Sequence, residues 1–102
     1  MAKAKPDAHK RLAQLNAVLD ALSHPARRQI LMTIHFRGGE MTAGDIAARF
    51  RHSWPTTTRH LRVLEKANLV RSIPQGRIRN YQIDLKQLKP LIEWLDWFYK
   101  DA

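Results

Sequence analysis

Residues 42–82 read TAGDIAARFRHSWPTTTRHLRVLEKANLVRSIPQGRIRNYQ, a pattern of two short helices followed by a hairpin. Thr42 and Ser53 are favourable N-caps, because a side-chain hydroxyl can accept a hydrogen bond from a free N–H of the first helical turn. Pro55 falls within the first turn after Ser53, where a missing N–H has no cost. Residues 51–52 separate the two helices. The stretch therefore predicts a helix-turn-helix followed by a two-stranded ribbon with a basic tip.

The second of these helices has two chemically different faces. At 100° per residue, Leu61 and Leu64 share one stripe with Thr57, one turn earlier, and this stripe is expected to face a core. Arg59 and Arg62 fall on the opposite face, flanked by hydroxyl side chains. Many solvated helix faces are rich in arginine, but here the face coincides with paired caps, a short turn and a basic hairpin. This combination indicates a helix that enters a DNA major groove.

The candidate DNA contacts divide by chemistry. Arginine suits guanine and hydroxyls are less selective, so base-edge contacts are expected from Thr56, Thr58 and Arg59. Phosphate contacts are expected from side chains and from backbone amides at the helix N-terminus, at Thr42, His52, Ser53, Trp54 and Arg62. The ribbon is expected to straddle the adjacent minor groove, where narrow A·T tracts favour arginine. Its contact residues are Gln75, Arg77 and Arg79.

The sequence leaves two possible roles open for Trp54 and two for His60. The indole of Trp54 either contacts a sugar or a thymine methyl, or packs between the two motif helices. His60 falls near the core edge of its helix, and we expect it to be a hydrogen-bonding strut or a phosphate contact rather than a metal ligand or a catalytic base. His24, which precedes a proline at a predicted helix cap, is expected to be structural.

The composition indicates one small basic domain. The chain has 102 residues, no cysteine, and 18 Lys and Arg against 9 Asp and Glu, which gives a formal net charge of +9. Such an excess attracts a polyanion, and DNA, RNA and anionic membranes are the candidates. No apolar stretch approaches the roughly 18 residues of a membrane span, and no secretory signal is visible. We expect a cytoplasmic domain over residues 8–102 that follows a mobile basic tail at residues 1–7.

Helices are also predicted on both sides of the motif. Four leucines at positions 12, 15, 19 and 22 form a stripe on a first helix at about 8–22. A second helix starts at Pro25, capped by Ser23 or His24, and ends at the glycine pair 38–39. Asn68 stands where a left-handed residue is needed after the motif, and the ribbon strands are expected at 69–73 and 78–83. A last helix is expected at about 85–100.

This last helix is apolar nearly all round. Seven apolar residues between positions 85 and 99 fill one broad stripe, and Trp94 and Trp97 lie on the far side. Such a helix must be buried on two sides, and a partner subunit can cover one of them. The alternative is that the tryptophans cover the first helix of the same chain. We expect a homodimer whose interface draws on the first and last helices, at Leu12, Leu15, Leu19, Leu91, Trp94, Leu95, Trp97 and Phe98.

Four stretches of the sequence resemble the ArsR/SmtB family of winged-helix transcription regulators: LSHPARRQIL, MTAGDIAARF, TTTRHLRVLEKANLV and GRIRNYQID. The resemblance covers about residues 10–98. It implies a homodimer with the first and last helices at the interface, a recognition helix at 53–67 and a wing at 69–83. Thr58 stands where the family usually has serine, and Asn68 where it usually has glycine. Both departures are mild, since a hydroxyl is retained and Asn accepts left-handed geometry.

Many members of that family sense metals, and the resemblance allows their sites to be tested here. The family's cysteine pair falls at Thr42 and Gly44, neither of which binds a soft metal. The second family site needs histidine on the last helix, but this chain has no histidine after His60. The carboxylates near the C-terminus therefore lack imidazole partners. We expect no metal and no cofactor, and the sequence does not identify an inducer.

These observations predict an α+β winged helix-turn-helix with five helices and one hairpin, which acts as a sequence-specific transcriptional repressor on a two-fold operator. No nucleophile–base pairing, carboxylate dyad or Gly-rich phosphate loop supports an enzyme. Three alternatives stay open. The first is a repressor that responds to a metal or small molecule at an unrecognised site, for example one composed across a dimer. The others are a non-specific nucleic-acid-binding module and a module whose basic face docks an acidic protein.

Overall fold

The computed structural model describes the backbone of residues 4–100 and the side chains of residues 8–100. Within this range the predicted winged helix-turn-helix is confirmed, with three strands where the sequence predicted two. The helices are α1 (Ala4–Leu22), α2 (Pro25–Phe36), α3 (Ala43–Ala48), α4 (Trp54–Lys66) and α5 (Lys89–Lys100), and the strands are β1 (Glu40–Thr42), β2 (Val70–Gln75) and β3 (Ile78–Ile83). Among the described residues, none of the helices is both long enough and apolar enough to cross a membrane.

The first helix begins earlier than the predicted start at residue 8. The apolar stripe guided that prediction, but alanine and lysine are good helix formers at any position. Pro6 falls in the first turn of α1, where its missing N–H removes no hydrogen bond. Residues 4–7 of the predicted mobile tail therefore have helical backbone, and residues 1–3 lie outside the described part of the chain.

The buried face of α1 also differs from the predicted leucine stripe. Val18 and Ala21 are the α1 residues that enter the core cluster, and Leu12 and Leu19 are exposed. Leu15, which was predicted at the dimer interface, is only 7% exposed within the single chain. The apolar residues of α1 thus cover two faces. Val18 and Ala21 face the core, whereas Leu12 and the largely buried Leu15 line the groove between α1 and α5.

The predicted caps of the motif are confirmed. The Thr42 hydroxyl accepts a hydrogen bond from the Asp45 N–H at 3.1 Å, and the Ser53 hydroxyl accepts one from the Thr56 N–H at 3.3 Å. At α2 the structure selects between the two predicted caps, because Nδ1 of His24 accepts the Ala26 N–H at 3.1 Å. These bonds satisfy N–H groups that have no partner within their own helix, and so they fix where each helix starts.

A third strand extends the predicted hairpin. The sheet order is β1-β3-β2, and both pairings are antiparallel. In the hairpin, Gly76 has φ +64° in the tight turn between β2 and β3, as a two-residue turn requires. Strand β1 was missed because three residues are too few to show a period, and Met41 finds its partner Tyr81 far along the chain. The prediction of a hairpin alone is therefore corrected to a three-stranded sheet.

The connections that follow α4 and β3 position the wing and the last helix. Asn68 has φ +60°, the left-handed geometry predicted for it, and it directs the chain into β2. After β3 a 3₁₀ helix spans Leu85–Leu88, and α5 begins only at Lys89 rather than at residue 85. Pro90 explains this correction, because its ring excludes the α-helical hydrogen bond to the carbonyl of Lys86.

One core joins these elements. Its fully buried side chains come from four helices and the start of the wing: Val18, Ile30, Ile34, Ile46, Leu61, Leu64, Leu69 and Val70. Helix α5 has no buried residue and only lends half-buried Leu91 to the edge of this core. The helix-turn-helix and the wing are therefore supported by a complete core, whereas most of α5 lies outside it.

Candidate nucleic-acid interface

The rotation of α4 about its axis is fixed by three buried side chains. Thr57, Leu61 and Leu64 are each at most 2% exposed, and they pack into the core. Arg59 and Arg62 are consequently exposed on the opposite side of the helix. The division into a core face and a basic face is confirmed. In this position α4 can present its two guanidinium groups to a DNA groove without moving any core residue.

Hydrogen bonds within the first turns of α4 determine what its hydroxyls can offer a base. The Thr58 hydroxyl lies 2.9 Å from the Trp54 carbonyl oxygen. Because a carbonyl can only accept, the Thr58 hydroxyl must donate, and its remaining capacity is to accept. The Ser53 and Thr56 hydroxyls lie 2.9 Å apart, and either of them can donate to the other, so Thr56 can offer a base a donor or an acceptor. Thr58 suits an amino group of cytosine or adenine.

Trp54 lies at the first position of α4 with 55% of its side chain exposed. An indole that packed between the two motif helices would be largely buried. The structure therefore favours the alternative in which this indole contacts a sugar or a thymine methyl. Ser53 is exposed beside it, so the backbone amides predicted to meet a phosphate lie at an open helix N-terminus.

The three predicted wing residues, Gln75, Arg77 and Arg79, are all exposed. Arg77 occupies the turn itself, directly after Gly76. Arg79 is held back along the ribbon, because its Nη1 donates to the Ser72 hydroxyl across the hairpin at 2.8 Å. Arg77 therefore lies at the free end of the wing. Arg79 is bound across the ribbon through one N–H group, and its other N–H groups can still donate to a phosphate or a base.

Thr42 and His52 lie on either side of α3. The Thr42 oxygen caps this helix, and its hydroxyl proton remains able to donate to a phosphate. His52 is exposed in the turn before α4, and its ring is stacked parallel to Phe50 with centroids 6.4 Å apart. Phe50 is half-buried just beyond the end of α3.

His60 is half-buried between α4 and the start of α2. Its Nδ1 lies 3.4 Å from Nη1 of Arg27, and its ring lies 4.6 Å from that of His24. Burial lowers the pKa of His60 below its usual 6.5, and the positive charges of His24, Arg27, His52 and Arg59 lower it further. His60 is therefore a neutral bridge near pH 7. The sequence did not reveal this neighbourhood, since its members are far apart along the chain.

The predicted dimer surface is largely exposed in the single chain. Trp97 is 65% exposed, and it lines a groove of about 800 Å³ between α1 and α5 with Leu12, Leu15 and Trp94. Besides Trp97, five of the predicted interface residues are exposed in the single chain: Leu12, Leu19, Trp94, Leu95 and Phe98. Trp94 and Trp97 thus cover only part of α1. Apolar side chains of α1 and α5 remain exposed to water, which is unfavourable.

The described part of the chain offers no metal centre. Over residues 8–100, no group of three or more His, Asp or Glu side chains is arranged to hold an ion. The positions of the family's cysteine pair are a helix cap at Thr42 and an exposed glycine at Gly44. On α5, Glu93 lies 3.9 Å from the Arg11 guanidinium, so this carboxylate has a cationic partner on α1.

Comparisons with known proteins agree with one another. The helix-turn-helix domain family matches residues 22–73. The transcriptional repressor SdpR of Bacillus subtilis (strain 168) is 37% identical over 79% of this chain and 88% of its own length. The arsenical resistance operon repressor of Staphylococcus xylosus is 31% identical over 81% of this chain and 78% of its own. A crystal structure of an ArsR family transcriptional regulator superposes with a TM-score of 0.79 at 30% identity, covering 86% of this chain and 89% of that one.

Proposed function

This chain belongs to the ArsR family of winged helix-turn-helix transcriptional regulators, and from that membership we propose that it represses transcription as a homodimer on a two-fold operator. As a member of this family it is a DNA-binding regulator and not an enzyme. Beyond family membership, we propose four properties of this chain: that it forms a dimer, that its operator is two-fold symmetric, that the individual residues named above contact DNA, and that it acts without metal. It also places the protein in the cytoplasm, where a bacterial-type repressor meets its DNA.

The two-faced helix α4 is the observation that carries this proposal. Its core face fixes the helix, and Arg59, Arg62, Thr56 and Thr58 remain accessible at least in part on the other side. The role of the Thr58 hydroxyl is already set by the Trp54 carbonyl, so α4 presents at least this acceptor in a defined place before it meets DNA. A preset acceptor of this kind discriminates between base pairs in a major groove.

The exposed apolar surface along α1 and α5 supports the dimer. A patch that contains two tryptophans and a phenylalanine is unusual for a surface that stays in water, and aromatic side chains are enriched in interface cores. A second copy that covers this patch by two-fold symmetry would carry a second α4. Two recognition helices related in this way read two half-sites about one helical turn apart.

Replacing Arg59 by alanine should cost about 1–3 kcal/mol of binding energy on the preferred operator and relax the preference at one position per half-site. Binding to random duplexes should change little, because a base contact is lost and not a phosphate contact. The variant Arg62→Ala is the matched control, since it removes the same charge from the same face. It should weaken both kinds of duplex to a similar extent. Competition binding with both duplexes measures this, and equal losses for Arg59→Ala would make Arg59 a phosphate contact.

Zinc, cobalt, arsenite or antimonite at micromolar concentration should leave the operator affinity unchanged. The chain has no cysteine for a thiophilic ion, and the family's other site lacks its histidine. The measurement is an operator titration with and without each ion, followed by a repeat with chelator. Stoichiometric binding of one of these ions with release of the operator would contradict the metal-independent assignment.

A competition experiment separates this proposal from a non-specific basic module. Sequence-specific binding requires a selected duplex to compete at least about a thousandfold better than random DNA at physiological salt. Similar competition by both duplexes would favour the non-specific module, and preference for an acidic protein over either duplex would favour a protein-docking role.

A further inference from the structure

Two hydrogen-bonded links join the first helix to the recognition helix. In the first link, the side-chain Nε2 of Gln14 on α1 donates to the carbonyl oxygen of Ala67 at 3.0 Å. Ala67 is the C-cap of α4, where the last carbonyl oxygens have no partner within the helix. The two residues are 53 positions apart in the sequence, so no local pattern predicts this bond. Gln14 therefore holds the C-terminal end of α4 against α1.

Arg27 provides the second link. Its Nε donates to the Ala21 carbonyl oxygen at 2.6 Å and its Nη2 donates to the Asp20 carbonyl oxygen at 3.2 Å, so the guanidinium is held at the C-terminal end of α1. Its Nη1 lies 3.4 Å from Nδ1 of His60, and this nitrogen accepts, because a guanidinium can only donate. Arg27 thus joins the end of α1 to the second turn of α4.

The two links meet α4 at separate points. His60 and Ala67 are seven residues apart, which corresponds to about 10 Å along the helix axis. A single attachment would leave α4 able to tilt about that point, whereas two attachments define the direction of its axis relative to α1. The apolar core determines which face of α4 is buried, but apolar contacts are not directional. The links add the directional restraint that the core lacks.

The opposite side of α1 is the side that we propose for the dimer. At 100° per residue, Gln14 lies on the same side of α1 as the core residues Val18 and Ala21. Leu12 and Leu19 lie on the other side, where their side chains are exposed. A partner subunit that packs on this exposed side fixes the distance from the two-fold axis to α1. The links then carry that distance over to α4.

We propose that Gln14 and Arg27 are positioning residues that hold the two α4 helices of the dimer at one separation, and thereby select the spacing between the half-sites of the operator. The inference rests on the proposed function, since it requires the dimer and its two-fold operator. Neither residue needs to touch DNA in this role. An operator with one more base pair between its half-sites moves one of them about 3.4 Å along the duplex and about 35° around it, which a rigid pair of helices cannot follow.

The first test measures the separation of the two α4 helices without DNA. The chain has no cysteine, so Glu65→Cys at an exposed position of α4 gives one spin-label site per protomer. Pulsed electron spin resonance then gives the distribution of distances between the two labels of the dimer. Adding Gln14→Met, which removes the donor, should broaden or displace this distribution. Gln29→Met is the matched control, because Gln29 is an exposed glutamine on α2, and it should leave the distribution unchanged.

The second test uses operators whose half-sites are one base pair closer together or farther apart. Gln14→Met should lower the affinity for the preferred spacing by about fivefold, the effect of one lost hydrogen bond, and should weaken the discrimination against the altered spacings. The affinity for a duplex with a single half-site should stay as in the wild type, because one α4 suffices to read it. Gln14→Lys supplies another donor and should recover the discrimination.

Arg27→Met should act in the same direction as Gln14→Met. If Arg27→Met fails to fold, Gln14→Met alone decides the question, and thermal unfolding and sedimentation check that this variant is folded and dimeric. Either an unchanged distance distribution or an unchanged spacing preference in folded, dimeric Gln14→Met would overturn the inference. A wild-type chain that is monomeric, or that prefers no duplex over random DNA, would overturn the proposed function instead.

Discussion

Replacing both Trp94 and Trp97 by alanine should convert the proposed dimer into monomers at micromolar concentration and remove most of the operator affinity. Truncating a tryptophan that is buried in an interface costs about 3–5 kcal/mol, so the dimer dissociation constant should rise at least about a hundredfold. A monomer presents one α4, and hence it reads only one half-site. Sedimentation over a concentration series measures the dimer, and titration of the same samples with operator measures the affinity.

The design of this experiment depends on where the two rings lie. Trp97 is mostly exposed in the single chain, and Trp94 contacts Phe98 with ring centroids 4.9 Å apart on the same helix. The double variant should therefore keep the fold of the subunit, which a thermal unfolding curve checks. Phe36→Ala is the matched control, because Phe36 is a more exposed aromatic residue on α2, outside the groove. If the double variant still dimerises and binds the operator with full affinity, the interface must be formed by other residues.

Raising the salt concentration from 50 to 200 mM should lower the operator affinity by about a thousandfold or more. Two protomers that each neutralise several phosphates give a slope of log affinity against log salt of roughly −5 to −9, from about 0.9 per phosphate. We expect these contacts from the exposed arginines of α4 and the wing, in a chain whose formal net charge is +9. A slope near −1 on every duplex would contradict groove binding.

The wing should account for a defined part of this slope. Arg77→Ala should weaken all duplexes to a similar extent and reduce the magnitude of the slope by roughly one unit per wing. Arg77→Lys keeps the charge at the tip of the hairpin and should keep the slope, so the pair of variants separates charge from shape. A slope unchanged in Arg77→Ala would mean that the wing does not reach the phosphates.

The elements that the sequence predicts well are those specified by neighbouring residues. The caps at Thr42 and Ser53, the left-handed Asn68 and the two faces of α4 each depend on residues within about one helical turn, and all are confirmed. The rotation of α4 in particular follows from the spacing of Leu61 and Leu64. The position of the basic face was predictable for the same reason.

The features that the sequence did not predict depend on contacts between distant residues. Strand β1 exists because β3 offers it a partner, and three residues carry no pattern of their own. The neighbours of His60 come from α2 and from the turn, and no spacing rule relates positions 24, 52 and 60. Leu15 and Leu12 belong to one leucine stripe, and only the packing of α1 against the core decides which of them is buried. The start of α5 is a different case, because Pro90 is a local signal from which the later start of this helix could have been predicted.

Strand β1 has a consequence for how the protein and its DNA adapt to each other. Thr42 is at once the last residue of β1, paired with Asn80 of the wing strand, and the N-cap of α3. Glu40 accepts hydrogen bonds from the side-chain amides of Asn80 and Gln82, at 3.4 Å each, which joins the wing to the strand that leads into the motif. The separation between α4 and the wing tip is therefore set within the protein. We therefore expect the duplex, more than the protein, to adapt in a complex by bending or by a change of groove width, so that the stiffness of operator steps that no side chain touches contributes to the specificity.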